Sequence, residues 1–332
     1  MPSSSPQLSV IIPAHNASDT IGRVLDALLA GSGAAPEILV VDDASTDETA
    51  ALVEHYPVQL LRRDTCGGPS AARNQAVEHA TGELVVFIDA DVEVAPDTLA
   101  LIAAHFSANP DIAALFGSYD SAPAAPGLIS RYRNLLHHFV HQHGAREAAT
   151  FWCGCGAVRR HVFRELGGLS EAFPRPSIED IEFGARLHDA GHRIHLVPEI
   201  QVKHLKAWSL GRMIRTDVFQ RAIPWTLLIL GSRHRRWDLN LQFRHRLSAM
   251  TVFGFLPLLI AGLVVHPLIL VAAAACLLLF HLLNRDLFRF FVNTEGVCFA
   301  LATLPLLLLF YVYSTLAFGA GLALHLTGRR LV

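Results

Sequence analysis

From Leu247 to Asn284 the chain has no Asp, Glu, Lys or Arg, and from Gly296 to Gly328 it again has none. A bilayer span needs about 20 apolar residues. Both stretches are long enough, and the first has room for two short helices. Other absences narrow the reading further. The opening residues MPSSSPQ lack a basic and an apolar region, so no signal peptide is expected and the N-terminal part is expected to stay in the cytoplasm. The five cysteines are odd in number and scattered, and two fall in the apolar stretches, which excludes a disulfide framework. A net charge of −2 gives no footprint for a nucleic-acid partner. Neither GxGxxG nor GxxxxGK[ST] occurs, so a bound phosphate would not be held by a glycine-rich turn of those kinds.

What is present falls into two compositions. The first 245 residues are globular in character, and the remainder reads as a membrane anchor. Arg233, Arg235, Arg236, Arg244 and Arg246 precede the first apolar stretch, as the positive-inside rule requires of a cytoplasmic flank. His266-Pro267 reads as a hairpin turn. Length favours three spans, whereas Arg329-Arg330 at the end favours two or four. Segment 216–237 mixes arginines with Val218, Ile223, Trp225, Leu227, Leu228 and Leu230. It is either an interfacial amphipathic helix or a helix packed on the core.

Along the N-terminal part, Leu8–Ile12 is a short apolar run stopped by Pro13. Ile21, Val24, Leu25, Leu28 and Leu29 recur at helical spacing up to Gly31. Glu37–Val41 is a second strand that ends in Asp42-Asp43. Ser45 and Glu48 have capping-box spacing and open a second helix. Val58–Leu61 is a third strand, Ser70–His79 a helix, and Leu84–Ile88 a fourth strand. Strands alternating with helices predict an α/β fold with a mostly parallel sheet covered on both faces. Ligands in such sheets bind beyond the carboxyl ends of the strands. There the sequence places Pro13-Ala14-His15-Asn16, Asp42-Asp43 and Asp89-Ala90-Asp91. Residues at i and i+2 of a strand project to the same side, so Asp89 and Asp91 are expected to face one point at the sheet's edge, where two hard oxygen donors suit Mg²⁺ or Mn²⁺ shared with a diphosphate.

The ordered set of motifs resembles the family 2 glycosyltransferases, inverting enzymes of the GT-A fold. The matching pieces are SVIIPAHN from Ser9, VDDASTDET from Val41, GPSAARN from Gly68 and FIDAD from Phe87. GCGA from Gly154, Ile178-Glu179-Asp180 and Val202-Lys203-His204 follow, so the likeness covers roughly residues 8–210. The resemblance implies a nucleotide-sugar donor, with a UDP-sugar favoured. Pro13, His15, Asn16 and Asp43 would lie at the donor, Asp43 on the nucleobase. Arg73 would lie near the phosphates, or else be a surface helix arginine. Asp89 would hold ribose or metal, Asp91 would be the more direct metal ligand, and His204 a further one. By the same resemblance Asp180 is the base that deprotonates an acceptor hydroxyl, with Glu179 supporting it. Locally, Ser177 looks like an N-cap, and a carboxylate in the first turn is also a routine capping group. Trp152, Gly154 and Gly156 would form the acceptor side, where glycines let a backbone approach a sugar and Trp152 either stacks on it or fills core.

Other patterns carry less. Cys153-x-Cys155 has no second pair to make a zinc site. His137, His138, His141 and His143 read as a solvated insertion rather than a metal site. The Gln-x-x-Arg-Trp motif of processive synthases is broken at Gln220–Trp225, which points to single addition. The expected organisation is a catalytic domain at 1–210, linker helices at 211–246 and a transmembrane region at 247–328. The expected protein is a multi-pass membrane transferase acting on a lipid-linked or membrane-resident hydroxyl. The alternatives are a polyprenyl-phosphate glycosyltransferase and a catalytically silent sugar-nucleotide-binding protein.

Overall fold

The computed structural model describes residues 6–32, 35–231 and 243–328. Arg233, Arg235, Arg236, Arg329, Arg330 and the end of segment 216–237 lie outside the described residues. Two compact units emerge: residues 1–125 with 141–207, and residues 126–140 with 208–331. Against the expected boundaries, 126–140 groups with the C-terminal part although it is embedded in the N-terminal sequence.

The first unit begins β1 (Leu8–Ala14), α1 (Ile21–Leu29), β2 (Glu37–Asp42), α2 (Thr49–Val53), β3 (Gln59–Arg62), α3 (Gly68–His79) and β4 (Leu84–Ile88). It continues with β5 (Val92–Val94), α4 (Thr98–Ala108) and β6 (Ile112–Tyr119). After α5 (Leu128–Gln142), most of which belongs to the second unit, come β7 (Glu147–Ala148), β8 (Cys155–Arg159), α6 (Arg160–Glu165), α7 (Glu179–Asp189) and β9 (Arg193–His204). The strand order is β3-β2-β1-β4-β8-β6-β9-β5, with β7 on β9. The first four strands are parallel, β8 runs antiparallel to both its neighbours, and β6 and β9 are parallel.

The apolar strands serve both faces by simple alternation. Val10, Ile12, Val40, Val86 and Ile88 join Ile21, Val24, Leu25 and Leu28 of α1 in one core. Ile11, Leu39, Val41, Val85 and Phe87 join Ala72 and Ala76 of α3 and Phe183 of α7 in the other. Two local expectations fail. Pro13 does not stop β1, which runs on to Ala14 beside Asp42; Pro lacks only a donor, and Ala14 O still accepts from Asp43 N at 2.8 Å. The capping box does not form either. Ser45 Oγ accepts from Asn16 N at 3.0 Å, and α2 starts at Thr49, whose N–H donates to Asp47 at 3.0 Å.

The second unit adds α8 (Leu210–Arg215), a π-helical turn (Thr216–Ala222), α9 (Ile223–Gly231), α10 (Phe243–Val264), α11 (Ile269–Leu283), α12 (Arg285–Glu295) and α13 (Val297–Leu326). Tyr132, Leu135 and Phe139 of α5 are buried here with Met213, Phe280, Phe291 and Phe299. His138 is 8% exposed and stacks on Phe290 at 5.5 Å, and His137 is hydrogen-bonded by Arg221 at 3.0 Å. His138 is therefore not solvated, although His143 beyond the helix is exposed; aromatic packing has drawn the helix into a core. α9 also packs, with Thr226 and Ile223 against Gly321 of α13. Helices 244–264 and 297–326 are long and apolar enough to cross a membrane, and α11 with α12, bent by 68°, is a third possible span.

One buried ion pair ties this unit together. Arg133 donates to both Asp217 oxygens, at 2.9 and 2.5 Å, and Tyr313 OH donates to Asp217 at 2.6 Å. Removing one partner strands the other charge in a dry site. Asp217→Ala should lower unfolding stability by about 3–5 kcal/mol. Thermal unfolding in detergent would show it, and Arg133→Met combined with Asp217→Leu should recover most of the loss.

Candidate functional site

The carboxyl edge of β1, β2 and β4 is cross-tied by its own loops. His15 Nδ1 lies 2.8 Å from Asp43 O, Thr46 N donates to Asn16 Oδ1 at 2.8 Å, and Thr20 Oγ1 donates to Ala90 O at 2.7 Å. Asn16 and Ala44 sit at φ 50° and 56°, a left-handed conformation that non-glycine residues adopt at a cost and mostly at special sites. His15 and Asn16 are thus engaged with the 43–46 loop, and Pro13 lines the same edge at the end of β1.

Asp43 is buried and saturated by protein donors. Gly67 N and Gly68 N donate to it at 2.9 and 2.7 Å, Arg63 Nε lies at 2.8 Å and Cys66 Sγ at 3.3 Å. It anchors the start of α3. Gly68 needs to be glycine twice over: φ is +84°, and a Cβ there would lie 2.7 Å from Pro174 O. Arg63 and Cys66 were missed in the sequence; their one signal was their place just beyond β3 at the ligand-binding edge.

Arg73 is not a surface residue. It is 3% exposed, donates to Asp89 Oδ1 at 2.5 Å and lies 3.5 Å from Glu179 Oε1. β4 ends at Ile88, and Asp89–Asp91 form a turn closed by Val92 N to Asp89 O at 3.0 Å. The i, i+2 strand argument therefore does not apply, and the two carboxylates diverge. Asp89 goes to Arg73. Asp91 Oδ2 lies 3.6 Å from His204 Nε2 and 3.9 Å from Lys206 Nζ. Leu205 N donates to Asp91 O at 2.8 Å and holds this segment in place. Burial would raise the Asp91 carboxyl, but His204, with Lys206 beyond it, outweighs burial and holds it below the usual carboxylate range.

Among the described residues, no group of three or more His, Cys, Asp or Glu side chains is arranged to hold a metal. The Asp91–His204 pair fits part of a shell. Its 3.6 Å is a small rotation from the about 3 Å between neighbouring donors of a cation bound at about 2.1 Å. Diphosphate and water oxygens would have to supply the rest.

α7 begins at Glu179, so Asp180 stands in its first turn as expected, although Ser177 is not the cap; its N–H donates to Glu179 at 2.7 Å. Asp180 Oδ2 accepts from Cys153 N at 3.3 Å. Burial pushes the Asp180 carboxyl up, Glu179 adds to the shift and Arg73 opposes it, leaving it at about 7. Trp152 directly precedes Cys153, whose N–H donates to this carboxylate. Its ring meets Tyr119 edge-on at 4.8 Å, and Tyr119 stacks on His204 at 4.6 Å. Both glycines leave room for protein atoms: Gly154 for the Trp152 indole, and Gly156 for the Trp152 carbonyl and the Phe151 ring. A Cβ on Gly154 would lie 2.3 Å from Trp152 Cζ2, and one on Gly156 would lie 2.3 Å from Trp152 O. An open cleft of about 740 Å³ lined by Arg63, Gln75, Glu78, Phe163, Arg164 and Glu171 carries none of these carboxylates.

Known proteins match this chain in sequence and in fold. Residues 9–167 match the family model Glycosyl transferase family 2. The chain is 26% identical over 246 residues to a β-monoglucosyldiacylglycerol synthase of Synechocystis, covering 70% of this chain and 47% of that one. A mannosyltransferase of Pyrobaculum calidifontis, solved with GDP-Man and Mn²⁺, is 23% identical with TM-score 0.54, over 99% of this chain and 89% of that one. S. aureus TarS, solved with UDP-GlcNAc, is 18% identical with TM-score 0.52, over 98% and 93%. Both structures speak for the fold, which is GT-A. The matched stretches span 16% to 61% of the length of the curated relatives.

Gly154→Ala drives a methyl into the Trp152 indole. The expected loss is about 1–3 kcal/mol of stability, read by thermal unfolding, with a shift in Trp152 fluorescence.

Proposed function

Since this chain belongs, through residues 9–167, to the family 2 glycosyltransferases, we propose that it is an inverting transferase that moves a sugar from a nucleotide-sugar donor, UDP-linked by preference, to a hydroxyl of a lipid-linked or membrane-resident acceptor. The observation that carries the proposal is Asp180. It is a first-turn carboxylate held by Cys153 N, raised toward neutrality by burial and Glu179, and kept from full protonation by Arg73. Such a group can accept a proton near neutral pH. In the proposed step the acceptor O–H loses its proton to Asp180. The oxygen forms a bond to the anomeric carbon on the face opposite the phosphate, and the nucleoside diphosphate leaves with the electron pair of the broken C–O bond.

Asp91 and His204 are the residues that would hold a Mg²⁺ or Mn²⁺, and such an ion offsets charge on a leaving diphosphate. Arg73 keeps Glu179 and Asp89 in place, so both sides of the crevice depend on one side chain. The TarS complex with UDP-GlcNAc supports a UDP-sugar, and the name of the Synechocystis relative supports a lipid acceptor. The apolar helices of the second unit support residence in a membrane, with the arginine-bearing flank in the cytoplasm.

Purified protein in detergent with Mn²⁺ should release nucleoside diphosphate from one nucleotide sugar. Asp180→Asn and Asp91→Asn should each lower turnover about 10²–10⁴-fold. Retained activity in Asp180→Asn alone would mean an acceptor phosphate that needs no base. Absence of turnover with any donor and a membrane lipid extract would leave a binding protein. The profile of kcat/KM should fall as pH drops through about 7, because the base must be ionised. Arg73→Met removes the opposing cation and should move that limb to higher pH.

A further inference from the structure

Resting on the membrane reading above, we propose that α10 and α11 form a re-entrant hairpin whose partner is the acyl-chain region of the bilayer. The hairpin enters and leaves on the face that carries Arg244, Arg246, Arg285 and Arg289. Its tip, Val264–Leu268, stays in hydrocarbon and does not reach the opposite aqueous face. α13 alone makes the full crossing.

The two helices are pinned at one level. Asn284 Nδ2 donates to Ser248 Oγ at 3.0 Å, and Tyr311 OH donates to Asn284 Oδ1 at 3.2 Å. They stay side by side to the tip, since a Cβ on Gly254 would lie 3.4 Å from Cys276 Sγ and one on Gly262 would lie 2.5 Å from Leu270 Cδ2. From Ser248 to the last residue of α10 is about 24 Å of helix, and from Asn284 back to Ile269 about 22 Å. Measured from the pinned level, both fall short of a hydrocarbon core about 30 Å thick, and α10 reaches that length only when its arginine-bearing first turn is counted. Charge resumes just outside the pinned level. Arg244 and Arg246 precede it on α10, and Arg285, Asp286 and Arg289 follow it on α12, which bends away by 68°. α12 turns Leu287, Phe288 and Phe291 inward and leaves Arg285, Asp286 and Arg289 exposed, as a helix lying in the interface plane does.

The tip is built for a medium without water. Val264, Val265 and Leu268 are 72–79% exposed, and the turn has no charge and none of the Trp or Tyr that mark a membrane surface. Its backbone donors are all satisfied within the turn. Val265 N and His266 N donate to Ala261 O, at 2.7 and 3.3 Å. Pro267 has no donor. Leu268 N donates to His266 Nδ1 at 3.3 Å, Ile269 N to His266 O at 3.0 Å, and Leu270 N to Pro267 O at 3.0 Å. The one polar side chain of the tip is thus used to close a backbone donor, which hydrocarbon demands and water does not. α13, at 30 residues, is about 45 Å long and crosses with tilt.

The test uses the full chain with Cys66, Cys276 and Cys298 replaced by Ala, in sealed vesicles of either orientation, and a membrane-impermeant maleimide. Arg285→Cys should be labelled from one face and Thr327→Cys from the other. Val265→Cys should be labelled from neither until detergent is added, which also shows that the variant is reactive. Labelling of Val265→Cys from the face that labels Thr327→Cys overturns the proposal. As a second reading, the fluorescence of His266→Trp should be quenched more by lipids brominated deep in the chains than near the headgroup, and the reverse order overturns it. Release of the wild-type protein by alkaline carbonate would remove the membrane reading itself, a failure distinct from either result at the tip.

Discussion

A single buried cation makes the candidate site possible. Asp89, Glu179 and Asp180 come from distant parts of the chain, and three carboxylates in one crevice repel one another. The Arg73 guanidinium, almost fully buried, stands between Asp89 and Glu179 and offsets that repulsion. Its position is inherited from further back. Asp43 holds the N–H groups of Gly67 and Gly68, Gly68 abuts Pro174 O, and α3 carries the alignment five residues on to Arg73. The loop after β2, the helix α3 and the approach to α7 are therefore one mechanical unit.

A second chain of contacts runs along the other side. Trp152 packs on Tyr119, Tyr119 stacks on His204, and His204 faces Asp91. The carboxylate proposed to meet the leaving group and the aromatic ring of the proposed acceptor side are thus joined through two rings. Lys203 and Lys206, the only lysines in the chain, flank His204. Lys203 is committed to Asp120 at 2.6 Å, and Lys206 lies near Asp91.

The second unit is built differently. Along α10, α11 and α13 many exposed side chains are apolar, and several buried polar groups are paired with one another. The Arg133–Asp217–Tyr313 cluster and the Ser248–Asn284–Tyr311–His245 cluster join helices that share no large sequence motif. In a medium without water such groups have to find partners among themselves. This also explains why α5, with its three histidines and two arginines, groups for most of its length with these helices: Arg133 meets Asp217, Arg131 pairs with Glu295, and His138 stacks on Phe290.

The parallel strands, the two-sided core and the apolar C-terminal helices were legible in the sequence, because the periodicity of burial is local and each strand or span carries its own signal. The first-turn position of Asp180 was legible for the same reason, since it depends on where one helix starts. What the sequence could not decide were the partners. Asp89 and Asp91 look identical in a linear reading, and only the end of β4 at Ile88 sends one to Arg73 and the other to His204. Gly154 and Gly156 read only as places of close approach, and the structure alone shows the Trp152 indole against the first and the Trp152 carbonyl and Phe151 ring against the second. The histidines of α5 read as solvated until aromatic residues more than a hundred positions away cover His138. Spacing along the chain determines which face a side chain takes; what waits on that face is brought there by distant segments, and only the tertiary structure decides it.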